Sequence, residues 1–220
     1  MNTKSVPMPP AASDDLIALI DYGAGNVLSV QKALEVVGAR VRRVHEPADL
    51  IGATKIVLPG VGAFGDCMDG LRRLGFIEPL CQSVHAGVPL LGICVGMQVL
   101  FEEGEELGHH IGLGLLPGRV IRLPADLTVR GFKIPHTGWN QIAPTRPHLL
   151  LTNLPPGAWV YFNHSYICQS RPEHTLAITE YGCSFPAVVG HGNLLGVQFH
   201  PEKSQRIGLQ ILRNFVEGRI

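Results

Sequence analysis

The stretch LLGICVGMQVLF, Leu90 to Phe101, places a single cysteine between two glycines. The apolar residues before Gly92 predict a buried strand, and those around and after Gly96 have the spacing of a helix. The two glycines leave room for a strained turn that lifts the Cys94 side chain out of the sheet edge. The turn puts the thiol at the positive end of the helix and beside the free backbone N–H of Val95. These features predict a nucleophilic cysteine with one oxyanion donor, although a buried structural cysteine fits the same short pattern.

A nucleophilic thiol needs a base, because an ordinary thiol pKa of about 8.5 leaves only a small fraction ionised at neutral pH. The chain has 10 histidines, most of them in polar or turn-like contexts. His200 differs, because it directly follows an apolar strand in LLGVQFHPEKS, with Glu202 close behind it. One extended segment can aim the imidazole and the carboxylate in the same direction. We therefore predict that Glu202 fixes the tautomer of His200 and that His200 takes the proton of Cys94. The alternative is a strand-ending turn with a surface acid.

The order of apolar and helical segments predicts an α/β fold. LIALI, KIVLPG and VPLLGIC read as buried strands that alternate with helical segments, which implies a mostly parallel central sheet flanked by helices. After about residue 112, short β-like runs between proline and glycine turns predict a smaller mixed or antiparallel portion in the C-terminal half. SQRIGLQILRNFVEGRI has the apolar spacing of a closing helix.

The chain length and the turn residues predict the domain organisation. Residues 1–14 have no apolar period and several prolines, so we expect a flexible leader. With 220 residues in all, the remaining segment, 15–220, fits a single domain.

Composition excludes several classes of function. The 18 basic and 18 acidic residues balance, so charge gives no reason to expect a nucleic-acid or membrane partner. The Cys count of 5 is odd and no C-x-x-C pair is present, which fits a reducing cytoplasm. No apolar run approaches the roughly 20 residues that span a bilayer. DYGAGN lacks the last glycine of a dinucleotide fingerprint, and no residues have zinc spacing, so we expect neither a cofactor nor a metal.

Several separated motifs resemble those of one enzyme family. GICVGMQ, followed much later by GVQFHPEKS, resembles the triad-type class I glutamine amidotransferases, in which cysteine, histidine and glutamate come in the same order. IDYGAGN, LPGVGAFGDCM, IPHTGWN and YFNHSY make the chain, from Ile17 to its C-terminus, similar to the glutaminase subunits of imidazole glycerol phosphate synthase.

The resemblance implies an activity and a partner. The enzyme would hydrolyse L-glutamine to glutamate through a glutamyl thioester on Cys94. Ammonia would pass to a separate (β/α)8-barrel cyclase subunit, which makes imidazole glycerol phosphate and an aminoimidazole carboxamide ribotide in histidine biosynthesis. We therefore expect a cytoplasmic heterodimer.

The segment LPGVG follows a predicted strand, and its backbone N–H groups at Gly60, Val61 and Gly62 form a plausible second wall of an oxyanion site. An ordinary turn after a strand is the alternative. By the resemblance this is the oxyanion strand, and related enzymes usually have a second glycine where Val61 stands. A β-branched residue resists positive φ, so we hypothesise that this peptide is turned away until a loaded partner reorients it.

Other site residues follow from the resemblance. Gln98, one helical turn beyond Cys94, and Glu106, two further turns along, match positions that hold the amino-acid end of glutamine. A solvated acidic helix end is the alternative for Glu106. Ser165 and Tyr166 match backbone contacts to the glutamine carboxylate. The residues expected at or near the cyclase interface are Trp139 and Asn140, in IPHTGWN, which we interpret as a turn, and Tyr161 and His164.

Other functions fit some of the same motifs. The nearest alternative is the glutaminase of another pathway, such as anthranilate or pyridoxal phosphate synthesis. The strand-to-helix turn and the triad would also suit a cysteine peptidase or esterase. A catalytically silent regulatory subunit would need a broken triad, whereas all three residues are present.

Overall fold

The computed structural model describes residues 15–23 and 25–218, so the predicted leader at 1–14 lies outside the described residues. The strands are β1 (Leu16–Ile20), β2 (Arg40–Val44), β3 (Lys55–Gly60), β4 (Leu90–Cys94), β5 (Phe101–Gly104), β6 (His110–Ile111), β7 (Leu116–Arg122), β8 (His136–Pro144), β9 (Ala158–His164), β10 (Tyr166–Ser170), β11 (Thr175–Glu180), β12 (Ser184–His191) and β13 (Leu194–Val197). The α-helices are α1 (Val27–Val36), α2 (Phe64–Arg73), α3 (Ile77–His85), α4 (Val95–Gln98), α5 (Asp126–Val129) and α6 (Gln205–Glu217). Short 3₁₀ turns cover Pro47–Leu50, Leu149–Leu151, Pro172–His174 and Pro201–Lys203.

Most strands belong to a nine-stranded sheet of order β2-β1-β3-β4-β13-β12-β11-β8-β9. The pairs from β2 to β13 are parallel, and those from β13 to β9 are antiparallel. A second, four-stranded sheet has the order β10-β7-β5-β6. The predicted α/β class is confirmed, and most of the antiparallel strands extend the main sheet rather than form a separate one.

The centre of the main sheet is the core of the protein. Every residue of β3, β4 and β13 is buried, as expected for parallel strands covered on both faces. The buried positions of α6, among them Ile211, Leu212 and Phe215, recur at helical spacing and form its packed face. Because β1, β3, β4 and β13 run in the same direction, the loops after all of them meet at one edge of the sheet.

At this edge the turn between β4 and α4 is as tight as the sequence predicts. A Cβ added at Gly96 would lie 1.9 Å from the carbonyl oxygen of Leu58, and one at Gly92 would lie 2.5 Å from the carbonyl oxygen of Gly96. Cys94 has φ 54° and ψ −113°, in a region that residues with a side chain rarely adopt. The two glycines therefore let β3 and the turn touch through their backbones, and Cys94 takes up the strain.

The helix predicted after Cys94 is much shorter than expected. It ends at Gln98, and Phe101–Gly104 form β5, which pairs with β6 and β7. The prediction that Glu106 lies two helical turns beyond Gln98 was therefore wrong. Val99, Leu100 and Phe101 are all fully buried, and such a continuous apolar run does not distinguish a strand from a buried helix. IPHTGWN likewise enters strand β8 at its histidine and is not a turn.

None of the helices in the described part of the chain is long and apolar enough to cross a membrane.

The backbone strain at Cys94 predicts a difference between two substitutions. Both Cys94→Ala and Cys94→Gly remove the thiol, but only glycine relaxes a φ of 54°. Strain of this kind costs about 1 to 3 kcal/mol, and the greater freedom of glycine in the unfolded chain offsets about 0.4 to 1 kcal/mol of the gain. We expect Cys94→Gly to be the more stable by about 1 kcal/mol in urea unfolding. An alanine variant as stable as the glycine variant would contradict the strain.

Candidate active site

His200 and Glu202 form a buried pair beyond the end of β13. Nδ1 of His200 lies 2.8 Å from Oε1 of Glu202, and the two side chains are 3% and 0% exposed. The imidazole and the thiol of Cys94, itself buried, line the same cavity. The structure thus brings together the three residues predicted as a triad, in the order sulfur, imidazole, carboxylate.

These contacts change the proton affinity of His200. Burial alone would lower its pKa, but the hydrogen bonds to Cys94 and Glu202 outweigh burial and raise the pKa to about 10. At neutral pH the proton is therefore on His200, which is the state that transfer of a proton from the thiol to the imidazole would leave. An imidazolium between sulfur and carboxylate can donate a proton to a leaving group.

Backbone hydrogen bonds fix the segment that contains His200. Its N–H donates to the carbonyl oxygen of Tyr161 at 2.9 Å, and the hydroxyl of Ser204 donates to its carbonyl oxygen at 2.6 Å. Ser204, which is fully buried, accepts the N–H of Tyr161 at 2.9 Å. Strand β9 is therefore bonded directly to the backbone of His200.

A cavity of about 80 Å³ opens onto the sulfur. Its lining comprises Val61, Gly62, Cys94, Val95, Gln98, Glu106, Asn163, His164, Ser165, Tyr166 and His200. Most of the predicted catalytic, oxyanion and substrate residues are thus neighbours around one cavity. Glu202 is behind His200, and Asn163 is a lining residue that the sequence did not suggest.

The loop after β3 lies beside the turn at Cys94. Gly60 pairs with Cys94 in the parallel register, and a Cβ at Gly60 would lie 2.4 Å from the backbone nitrogen of Gly96. In the loop itself Gly62 has φ 93°, whereas Val61 is not among the residues with positive φ. The residue of this loop with left-handed backbone conformation is therefore Gly62, which has no side chain, and not the β-branched Val61.

Two buried glutamines link the cavity wall to the sulfur. The side-chain amide of Gln98 donates to Oε1 of Gln198 at 3.2 Å and to the carbonyl oxygen of Tyr166 at 3.1 Å. Nε2 of Gln198 lies 3.9 Å from Sγ of Cys94. Gln198 is fully buried at the end of β13, level with the cysteine, and sequence reasoning missed it. The signal available was its place two residues before His200, on the same strand face.

Glu106 reaches the cavity from the turn after β5. Its Oε2 accepts the backbone N–H of Phe64, the first residue of α2, at 2.8 Å. Burial raises the pKa of Glu106, and this bond partly opposes the rise. A carboxylate in the cavity wall can bind an ammonium group. The position therefore fits the predicted contact, although Glu106 reaches it from a turn.

His164 and His136 form a neutral pair beneath the cavity. Nδ1 of His136 lies 3.1 Å from Nε2 of His164, and Nδ1 of His164 lies 2.9 Å from the carbonyl oxygen of Tyr166. Burial lowers the pKa of His136 to about 4 and, with the neighbouring His136, that of His164 to about 3. Because a carbonyl only accepts, His164 carries its proton on Nδ1, and His136 donates to its Nε2. His164 is therefore buried, whereas the sequence placed it near the partner-facing side.

The other predicted interface residues lie on β8 and β9. The rings of Trp139 and Tyr161 are 6.2 Å apart, and Nζ of Lys203 is 5.8 Å from the centre of the Tyr161 ring. Trp139 is 43% exposed. Asn140 donates to the carbonyl oxygen of Glu180 at 2.9 Å, and its Nδ2 lies 3.4 Å from Nε2 of His136. An aromatic pair, exposed at Trp139 and half-buried at Tyr161, therefore lies on the strands that hold His200 and the histidine pair.

Asn26, in the loop after β1, was missed as a site residue. Its Nδ2 donates to Oε1 of Glu202 at 2.5 Å, so this oxygen accepts from both Asn26 and His200. The segment DYGAGN resembles a motif of the family and lacks the last glycine of a dinucleotide-binding fingerprint, and neither feature points to a role for Asn26. No sequence pattern joins positions 176 residues apart.

Within the described residues, no group of three or more His, Cys, Asp or Glu side chains could hold a metal ion.

Comparison with known proteins agrees with this geometry. Residues 18–218 match the model of the family described as glutamine amidotransferase class-I. The imidazole glycerol phosphate synthase subunit HisH of Syntrophotalea carbinolica is 51% identical, over 91% of this chain and 98% of the relative. HisH of Desulfitobacterium hafniense is 52% identical, over 91% of this chain and 93% of the relative.

Solved structures share the fold at low sequence identity. The structure of PurLQS from Thermotoga maritima matches with a TM-score of 0.73 and 19% identity, over 91% of this chain and 97% of that chain. A crystal structure of a glutamine amidotransferase matches with a TM-score of 0.71 and 20% identity, over the same shares. From the family match and the relatives at about half identity, we conclude that the chain belongs to the class-I glutamine amidotransferase family, among the HisH subunits of imidazole glycerol phosphate synthase.

Proposed function

We propose that this chain is the glutaminase subunit of an imidazole glycerol phosphate synthase, with Cys94, His200 and Glu202 as its catalytic triad. The observation that supports it most is the strained Cys94 in a small cavity, whose wall also contains an imidazolium held by a buried carboxylate. The named function of the relatives at about half identity supports the same conclusion.

The first half of the reaction forms a thioester. The sulfur of Cys94 attacks the side-chain carboxamide carbon of glutamine, and the carbonyl oxygen becomes an oxyanion. The proposed donors to this charge are the N–H of Val95 and the peptides of Gly60, Val61 and Gly62, that of Val61 only after it has been reoriented. His200 then gives its proton to the departing nitrogen, the carbon–nitrogen bond breaks, and neutral ammonia leaves.

The second half releases glutamate. Neutral His200 takes a proton from a water molecule, whose oxygen attacks the thioester carbon. The carbon–sulfur bond then breaks, glutamate leaves, and the sulfur and the imidazolium return to their starting state. Throughout both steps Glu202 accepts the Nδ1 proton of His200, so Nε2 is the nitrogen that exchanges protons with substrate.

The far end of glutamine would be held by the opposite cavity wall. Glu106 offers a carboxylate and Gln98 its amide oxygen for the α-ammonium group, and Ser165 and Tyr166 offer backbone groups for the α-carboxylate. The cavity of about 80 Å³ is far smaller than the 300 to 1,000 Å³ typical of small-molecule sites. Its walls must therefore move apart to admit glutamine.

The mobile wall in this proposal is the loop that contains Val61. Because Val61 resists positive φ, its peptide rests turned away from the oxyanion, and one missing donor of this kind typically costs about 2.7 to 4 kcal/mol. The partner would be a (β/α)8-barrel cyclase subunit that binds over the exposed Trp139 and Tyr161. Ammonia needs such a dry route, because it would become ammonium in water and lose its nucleophilicity.

The alternative functions have less support than a glutaminase subunit. The relatives at about half identity are named as synthase subunits and not as peptidases, and a silent regulatory subunit would not need an ordered triad. A glutaminase of anthranilate or pyridoxal phosphate synthesis is less well supported, because the relatives at about half identity are named as HisH subunits of imidazole glycerol phosphate synthase. A cytoplasmic location and a heterodimer stay predictions.

Replacement of the nucleophile tests the proposal directly. We expect Cys94→Ala to lower glutamate release from glutamine by more than about a thousandfold, because the covalent step is lost. Cys81→Ala, a half-buried thiol on α3, is the matched control and should keep the wild-type rate. Wild-type protein should be slow alone and fast with the cyclase subunit and its ribonucleotide ligand. Full activity without the partner would contradict the resting position proposed for Val61, and undiminished glutamine-dependent synthesis by Cys94→Ala would contradict the triad.

The proton on His200 predicts a pH profile. The pKa of about 10 exceeds the ordinary value of 6.5, so His200 is protonated through the neutral range and loses its proton as pH rises through 10. We expect kcat/KM for glutamine to fall along an alkaline limb near pH 10. Glu202→Gln removes a bond that favours the charged ring, so this limb should move to lower pH. An unchanged limb in Glu202→Gln would contradict the contribution of the carboxylate.

A further inference from the structure

The left-handed conformation of Asn26 limits which residues can occupy the position. Asn26 has φ 74° and ψ −1°, a conformation that glycine adopts freely and that asparagine and aspartate adopt more readily than most residues. It is also the residue before the first turn of α1, where an asparagine side chain ordinarily accepts a helix N–H. Here the side chain makes no such bond. Its amide is instead 2.5 Å from Oε1 of Glu202.

Glu202 depends on that contact. Its side chain is fully buried, and Oε1 accepts from both Asn26 and His200. Oε2 is buried and has no hydrogen-bond partner among the described residues. The orientation of the carboxylate is thus fixed by two donors on one oxygen, and only one of them, the amide of Asn26, comes from outside the triad.

The chemistry of the position admits one residue type. Glycine would adopt the backbone but supplies no donor, and aspartate would place a second carboxylate against the first. We propose that Asn26 is a positioning residue of the triad, whose amide holds Oε1 of Glu202 where it accepts the Nδ1 proton of His200. This inference rests on the proposed function, because it assigns Asn26 to that same reaction.

The same loop also touches the other half of the site. A Cβ at Gly25 would lie 3.5 Å from Cγ2 of Val61, so the loop after β1 lies between the carboxylate of the triad and the loop proposed to move. Val61 and Glu202 therefore both contact the same segment, Gly25 and Asn26.

Two substitutions separate the amide from the backbone conformation. In Asn26→Gly the left-handed conformation is kept and the donor is lost. We expect kcat to fall about 10- to 100-fold, as for the loss of a hydrogen bond to a charged group, while KM for glutamine changes less than about threefold. In Asn26→Asp the pair of carboxyl groups holds one proton at low pH, so an O–H replaces the amide donor. That proton is lost as pH rises, and repulsion then displaces Glu202.

The measurement is glutamate release by the complex with the cyclase subunit and its ribonucleotide ligand, between about pH 6 and pH 9. The ratio of kcat for Asn26→Asp to kcat for Asn26→Gly should exceed about 5 at the acid end and fall to one or below at the alkaline end. The nearby ionisable side chains, Cys94, Glu106, His200 and Lys203, are the same in both variants, so their effects cancel in this ratio.

Asn153 supplies the matched control. It also has positive φ, 62°, and it is exposed and outside the cavity, so Asn153→Gly and Asn153→Asp should keep wild-type kcat at every pH.

The outcomes distinguish the two proposals. Wild-type kcat in Asn26→Gly, or a ratio that does not change with pH, would overturn the positioning role and leave the glutaminase intact. If Asn26→Gly does not fold, the ratio of Asn26→Asp to wild type must still fall as pH rises, and a constant ratio would overturn the role. Absence of Cys94-dependent glutaminase activity in the wild-type complex would instead overturn the proposed function.

Discussion

The close backbone contact between β3 and the turn after β4 is the constraint on which the site depends. The carbonyl of Leu58 occupies the space where a Cβ of Gly96 would be, and Gly60 lies against the same turn. This contact forces Cys94 into its strained conformation and brings the loop at Val61 beside the sulfur. The residues proposed as nucleophile and oxyanion wall are therefore brought together by one backbone packing contact.

A second requirement is that the polar groups around the cysteine be satisfied in a dry interior. Gln98, Gln198, His164 and His136 are all buried, and each has hydrogen-bond partners in the site. Such networks fix side-chain positions because an unpaired buried polar group is costly. From Asn140 on β8 the bonds continue through both histidines to the carbonyl of Tyr166 and on to Gln98. The strands with the exposed aromatic rings are thus connected to the cavity by rigid, directed hydrogen bonds.

The sequence predicted those features that depend on neighbours along the chain. The glycines on both sides of Cys94 indicate the tight turn, and a strand that ends at histidine, proline and glutamate indicates the other half of the triad. The residues from Val99 to Phe101 were wrongly predicted as helix. All three are buried, so no alternation of polar and apolar residues distinguishes a helix from a strand there. Asn26 could not be found, since it contacts a residue that only the fold brings near. Gln198 was missed although it lies on the same strand face as His200, because nothing in the sequence shows that it approaches the sulfur.

The short length of α4 changes the explanation for a reactive sulfur. The sequence predicts that the dipole of the helix after Cys94 stabilises a negative charge on the sulfur. A helix of 4 residues, however, has few aligned peptides to contribute to such a dipole. The charge beside the sulfur is instead the imidazolium of His200, which keeps its proton because Glu202 lies behind it. The reactivity of Cys94 then depends on the orientation of a carboxylate with no direct contact to substrate. Any group that fixes that carboxylate, the role proposed for Asn26, acts on the sulfur through Glu202 and then His200.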